Sequence, residues 1–243
     1  MSPADDAGDD ARLAALERTV AALQVAVDEA HAAEARGRTF LADAARQLHT
    51  PVSNIHADVR GLLRGPPSEE RERLFASVVR EGARGARLVN SLLQLARLDE
   101  GERLEPAPCD LAQVCADEAD RVRDRAPHLE VLVELGQRSG DLPWLDERAV
   151  REILAQLLDN ARRHAVSRIA VTVAGSEGRV EVRVSDDGAG IPADMVEPAF
   201  ERFASLDGLG GAGLGLPIAS ELSRLHGGDL GYADGAFVLR LPG

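Results

Sequence analysis

Asp186-Asp187-Gly188-Ala189-Gly190-Ile191-Pro192 follows directly on the alternating run Arg179 to Ser185, so a strand ends where two carboxylates and two glycines begin. Working backward, Arg168 to Ala174 alternates in the same way and is joined to that strand by a Gly-containing turn. Before it the spacing predicts a long helix over Asp146 to His164, a strand over Glu130 to Leu135 and a helix over Leu111 to Arg125. Working forward, a Gly-rich region (186–215) leads into a short helix (217–225) and two closing strands, Asp229 to Tyr232 and Ala236 to Leu241. This alternation predicts an open mixed sheet with helices on one face.

The N-terminal half is different in kind. Residues 1–10 are small and acidic and read as a disordered lead-in. In 11–38, Leu13, Leu16, Val20, Leu23, Val27 and Ala30 recur at steps of three and four, the seam of a coiled coil. A helix is predicted over Thr39 to Leu63, kinked by Pro51. The turn at Arg64 to Ser68 follows, with Ser68 as the expected N-cap and Glu69 and Glu70 in the first turn of the next helix. That helix runs to Asp99 and carries Leu74, Val78, Leu88, Leu92 and Leu95 on one face. Two long helices joined by a short turn make a hairpin, and its apolar stripe predicts a homodimeric four-helix bundle that charged substitutions at Leu88 and Leu92 should dissociate.

Composition narrows the function. Of 243 residues, 28 are cationic and 41 acidic, for a formal charge of −13, and every cation is Arg. Such a chain is a poor ligand for nucleic acid, and without Lys it has neither a Walker A loop nor a Schiff base. No run of residues is apolar enough to span a bilayer, which predicts a cytoplasmic chain whose only membrane link is through a sensor segment absent from it. Cys109 and Cys115 read as buried packing residues.

Four segments carry chemistry. They are Gln156-Leu157-Leu158-Asp159-Asn160-Ala161-Arg162-Arg163-His164, the 186–192 stretch, Phe200-Glu201-Arg202-Phe203, and Gly211-Ala212-Gly213-Leu214-Gly215-Leu216. A carboxylate at Asp186 can accept from an exocyclic amine, and glycines 188 and 190 let backbone approach a planar base. Asn160 offers a neutral oxygen to Mg²⁺, Arg163 can pair with phosphate, and the glycines at 211, 213 and 215 precede a helix N-terminus suited to an anion.

In this order and spacing the four segments resemble the N, G1, F and G2 boxes of sensor histidine kinases. The resemblance covers residues 39–243 and implies an α+β chain: a dimerisation hairpin (39–105), then an ATP-binding domain (106–243) that is an α/β sandwich of the histidine-kinase, gyrase and Hsp90 type. It implies ATP and Mg²⁺ as cofactors and a response regulator receiver domain as partner. The implied ATP ligands are Asn160 (also the metal ligand), Arg163, His164, Asp186, Gly188, Gly190, Ile191, Arg202, Phe203, Gly211, Gly213, Leu214, Gly215 and Leu216.

Phe40 to Pro51 resembles the H box of the same family, but with two residue types exchanged: Arg46 stands at the position of the phosphate-accepting His, and His49 at that of the Arg. Gln47 follows where the family has an acidic residue or Gln, and Thr50 where it orients water for dephosphorylation. A guanidinium has no lone pair for attack on phosphorus. Autophosphorylation is therefore expected to be absent or weak, with His49 as the candidate substitute acceptor. The alternatives are a pseudokinase or phosphatase-only scaffold acting on a response regulator, and another ATPase of the same fold.

Overall fold

The structure is a computed structural model that describes residues 37, 39–101, 103–136, 142–176, 178–204 and 213–243. The expected lead-in, the leucine seam from Leu13 to Ala30, and Gly211 lie outside the described residues. The chain divides into two compact units, residues 1–50 and 51–243. Helix α1 covers 39–63, and its helical state passes through Pro51, whose missing N–H leaves the carbonyl of Gln47 without its usual partner.

Helix α2 spans Ser68–Asp99. Its N-cap is Pro67, not Ser68: the extended φ and ψ of −52° and 156° end the turn at the proline, and the Ser68 hydroxyl accepts from the Arg71 guanidinium at 3.3 Å. Residues 51–63 and α2 lie side by side, with Leu74 over Gly61 so closely that a Cβ on that glycine would sit 3.0 Å from Leu74 Cδ1. Pro51 lies beside Gly85. Among the described residues no helix is long and apolar enough to cross a membrane.

From residue 107 the elements are β1 (Ala107–Pro108), α3 (Leu111–Arg125), β2 (Glu130–Leu135), β3 (Trp144–Leu145), α4 (Glu147–His164), β4 (Arg168–Ser176) and β5 (Arg179–Asp186). After a short 3-10 turn at Ala193–Met195 come α5 (Val196–Ala199), α6 (Gly215–Leu225), β6 (Asp229–Ala233) and β7 (Ala236–Pro242). Five strands form one mixed sheet in the order β2-β4-β5-β7-β6, parallel only between β2 and β4. The small antiparallel pair β1-β3 was not expected, because each strand is two residues long and β1 contains a proline.

Register decides which side chains meet. Val171, Val184 and Phe237 share one cross-strand row with Tyr232, and Val173, Val182 and Leu239 the next with Leu230. These rows face α3, α4 and α6, which pack on one side of the sheet, while Glu181, Arg183 and Arg240 occupy the other side as ion pairs. Val150, Ile153, Leu154 and Leu157 of α4 and Ile218 of α6 are completely buried, each side chain contributing roughly 1.5–3 kcal/mol. Asp146 caps α4 by accepting from the Ala149 N–H at 3.1 Å and also holds the Glu105 N–H at 2.9 Å, tying the segment after α2 to the start of α4. Cys109 and Cys115 are buried as expected, and burial pushes the Cys115 thiol up to about 12.

Candidate nucleotide site

The last residue of β5 opens the site. Asp186 pairs with Ile169 in the register that buries Val182 and Val184, so its carboxylate emerges on the helix-covered side at the open end of the sheet. Oδ1 accepts from the Gly188 N–H at 2.9 Å. Burial raises the Asp186 carboxyl above its ordinary range more strongly than that bond and the charge of His164 lower it. Gly188 is indispensable for space: a Cβ there would lie 2.3 Å from the His164 carbonyl oxygen. Gly190 adopts φ 71°, and the following Ile191 N–H donates to the Tyr232 hydroxyl at 3.1 Å.

Asp187 points to the opposite side and does different work. It accepts from the N–H groups of Val166, Ser167 and Arg168 and from the Ser167 hydroxyl at 2.6 Å, so the bend between α4 and β4 is fastened to the loop that presents Asp186. The Ser167 hydroxyl, then the backbone donors, hold this carboxyl well below the usual carboxylate range. A carboxyl depressed by folding stabilises above its unfolded value near 3.9, and that contribution is lost as pH falls through the folded one. Asp187→Asn should therefore lower the thermal midpoint at pH 7, and the difference from wild type should narrow progressively as pH falls below about 4 in a calorimetric pH series.

These groups open onto a cavity of about 960 Å³. Its walls are the last turns of α4 (Gln156, Asp159, Asn160, Arg162, Arg163, His164), the loop Ala189 to Pro192, the start of α6 with Gly213, Leu214, Gly215 and Leu216, and Tyr232 and Phe237 from the sheet. Tyr232 and Phe237 stack edge-on, 5.0 Å between centroids, giving an apolar floor beside a carboxylate. Helix α6 starts without a side-chain cap, so its first N–H groups are available to an anion. Gly213 at φ 65° passes so close to Phe203 and Ala204 that any Cβ would be 2.5 Å from backbone. Asp159, which burial pushes up, is held below its ordinary value by the Arg162 hydrogen bond and by the charges of Arg163, Arg162 and Arg87.

Of the expected nucleotide ligands, Asn160, Arg163, His164, Asp186, Gly190, Ile191, Gly213, Leu214, Gly215 and Leu216 line this cavity. Gly188 supports it from behind. Arg202 and Phe203 are not on this wall among the described residues. Arg202 makes a two-pronged ion pair with Asp99 at 2.7 and 3.0 Å, and Phe203, at φ 64°, donates its N–H to the Gly213 carbonyl. Sequence reasoning missed Tyr232, the chain's one tyrosine, and Arg84, Arg87, Leu88 and Ser91 of α2. The α2 residues could have been found because they continue the helical stripe of Leu95 and Leu98.

No group of three or more His, Cys, Asp or Glu among the described residues is arranged to hold a metal. The neutral Asn160 oxygen beside Arg163 suits a Mg²⁺ that arrives with phosphates and keeps most of its waters.

On α1, Arg46 and His49 are exposed, as is Thr50, whose hydroxyl lies 3.5 Å from the Arg46 carbonyl; Gln47 is half-buried. Arg46 pairs with Asp43 one turn earlier.

Residues 37–101 match the family described as His Kinase A (phospho-acceptor) domain, and residues 145–242 match the histidine kinase-, DNA gyrase B- and HSP90-like ATPases. The chain belongs to the sensor histidine kinase family. This sensor histidine kinase is 33% identical over 242 residues to the probable sensor histidine kinase TcrY of Mycobacterium tuberculosis, covering 94% of this chain and 50% of that protein. It is 34% identical over 235 residues to the signal transduction histidine-protein kinase AfsQ2 of Streptomyces coelicolor, covering 86% and 42%. The chain thus spans half or less of the length of these relatives. In fold it is similar to the Acinetobacter baumannii histidine kinase AdeS, with TM-score 0.67 at 22% identity, over 81% of this chain and 96% of that one. It is also similar to full-length ShkA, crystallised with AMPPNP, with TM-score 0.63 at 27% identity, over 82% and 45%. The kinase is a helical phospho-acceptor-type region followed by an α/β ATPase domain, as the four boxes implied.

Proposed function

We propose that the chain is a homodimeric, MgATP-binding core of a two-component system, acting on a response regulator in the cytoplasm, in which Arg46 has removed the phosphate acceptor. The proposed parts are a coiled coil (11–38), a hairpin (39–105) and a nucleotide domain (106–243). One observation carries the reading: in a chain of charge −13, the cavity beside Asp186 is walled by five arginines against two aspartates among the described residues. A concave basic site with an aromatic floor, a single base-reading carboxylate and an open helix N-terminus selects a ligand that is planar at one end and polyanionic at the other.

In this reading Asp186 accepts from the adenine amine, Tyr232 and Phe237 support the ring, Asn160 contributes an oxygen to Mg²⁺, and Arg163 with the α6 N-terminus holds phosphate oxygens. ATP supplies the transferable phosphoryl group. Thr50, one turn beyond Arg46 and exposed, supports a surviving dephosphorylation role toward the regulator that needs no imidazole. Calorimetry tests the nucleotide reading: Asp186→Asn should weaken MgATP about tenfold or more, and Asn160→Ala should do so only when Mg²⁺ is present. Unchanged affinity in both variants would overturn the assignment of the cavity.

A further inference from the structure

Helix α2 belongs to the phospho-acceptor-type region, yet it forms one wall of the nucleotide cavity. Arg84, Leu88, Ser91, Leu95 and Leu98 fall within roughly 40° of one direction around the helix, and Arg87 roughly 60° from Arg84. Leu88, Leu95 and Leu98 are buried, and α2 packs on α6. Arg84, one turn before Leu88, and Arg87 also line the cavity.

The ion pairing around the cavity leaves these two arginines for a further anion. Among the described residues neither makes a direct hydrogen bond or ion pair, and Arg87 acts on Asp159 only through its charge, whereas Arg162 and Arg163 are each held by Asp159 at 2.8 and 3.2 Å. Asp159 cannot serve all of them, because its two oxygens are already engaged by Arg162 and Arg163. The cavity wall therefore carries guanidinium charge in excess of its carboxylates. Guanidinium groups remain protonated at any working pH and match phosphate oxygens in a two-pronged geometry.

We propose that Arg84 and Arg87 of α2 bind the outer phosphates of the nucleotide, so that a nucleoside triphosphate bridges α4 and α2 and clamps the nucleotide domain onto the hairpin. The proposal rests on the nucleotide reading above and adds a consequence to it. Occupancy by a triphosphate is converted into a closed arrangement whether or not any phosphoryl group moves, which gives a chain with Arg46 at the acceptor position a nucleotide-dependent output. The two-pronged Arg202–Asp99 pair at the end of α2 is a second tie between that helix and the nucleotide domain.

The test compares ATP with AMP on the full chain, by calorimetry, for the wild type, the double variant Arg84→Gln with Arg87→Gln, and Arg97→Gln. Arg97 is an exposed cation of the same helix that is not on the cavity wall. The double variant should lose about ten- to a hundredfold in ATP affinity, with AMP affinity unchanged, while Arg97→Gln changes neither. Hydrogen exchange supplies a second readout: ATP, but not AMP, should slow exchange in α2 around residues 84–98 of the wild type, and this slowing should be lost in the double variant. An ATP-to-AMP affinity ratio within twofold of wild type in the double variant overturns the proposal and leaves the nucleotide reading standing. Failure of the wild type to bind either nucleotide overturns both.

Discussion

Incubated with ATP labelled on its γ-phosphate, the chain as it stands should take up little or no label, and the double change Arg46→His with His49→Arg should restore labelling by about a hundredfold or more over background. The argument is chemical first: attack on phosphorus needs a lone pair, which a neutral imidazole has and a guanidinium lacks. It is then geometric. His49 stands three residues beyond Arg46 on one helix, roughly 300° of rotation and about 4.5 Å of rise, so its ring points roughly 60° away from the acceptor direction. In-line transfer does not tolerate a displacement of several ångströms. Arg46 is exposed and tethered to Asp43, so an imidazole at the same position would meet solvent and a neighbouring carboxylate, as a nucleophile requires. The single changes separate the contributions: Arg46→His should recover part of the activity and His49→Arg none. Strong labelling of the unmodified chain that disappears in His49→Ala would make His49 the acceptor. If the double variant binds ATP normally and still takes up no label, the defect extends beyond the nucleophile.

Most of the nucleotide domain could be read from the sequence because its longer elements carry local signals. The alternation in Arg179 to Ser185 placed β5 within a residue of its end, and the capping aspartate Asp146 marked the start of α4. Asp186 was legible for the same reason, since the residue that ends a half-buried strand keeps the strand's facing. Tyr232 was not, because its place in the cavity depends on the sheet bringing β6 beside the loop after β5, where its hydroxyl accepts from the Ile191 N–H, and that approach leaves no local trace. The Asp99 partner of Arg202 was not legible from its motif, because only the approach of α2 supplies it. Ser68 looked like a cap because Ser usually is one, but Pro67 had already set the extended conformation before it. For Arg202 and Tyr232 the deciding partner is far away in sequence, Asp99 in one case and Ile191 in the other, whereas for Ser68 it is the adjacent proline.

Helix α2 shows the same limit most sharply, and it determines where the dimer should break. The helix is apolar on three sides, and the sequence could not say which side met which neighbour. Leu88, proposed from its spacing as a dimer contact, is buried on the cavity side, and Leu92 is half-buried, on the side that carries Leu74 toward residues 51–63. The side left open lies roughly 180° from Arg84 and carries Phe75, Val79, Gly82, Ala86, Val89, Leu93 and Ala96. These are spaced alternately four and three apart, the seam that one helix offers to a second. Phe75 is 55% exposed, Val79 70%, Val89 41% and Leu93 55%, far more apolar surface than a lone helix keeps in water. A second copy is the partner that the match to the phospho-acceptor family supports, and the small residues Gly82 and Ala86 at the middle of the seam let the paired helices approach closely. Val79→Glu with Leu93→Glu should weaken the dimer at least a hundredfold, because each chain would bury two unpaired charges where it had buried two aliphatic side chains. Light scattering at micromolar concentration should then report a monomer that still binds ATP. Leu92→Glu should act chiefly on the stability of the hairpin, and a Leu92→Glu chain that remains folded and dimeric would show that the two sides of α2 are separate interfaces.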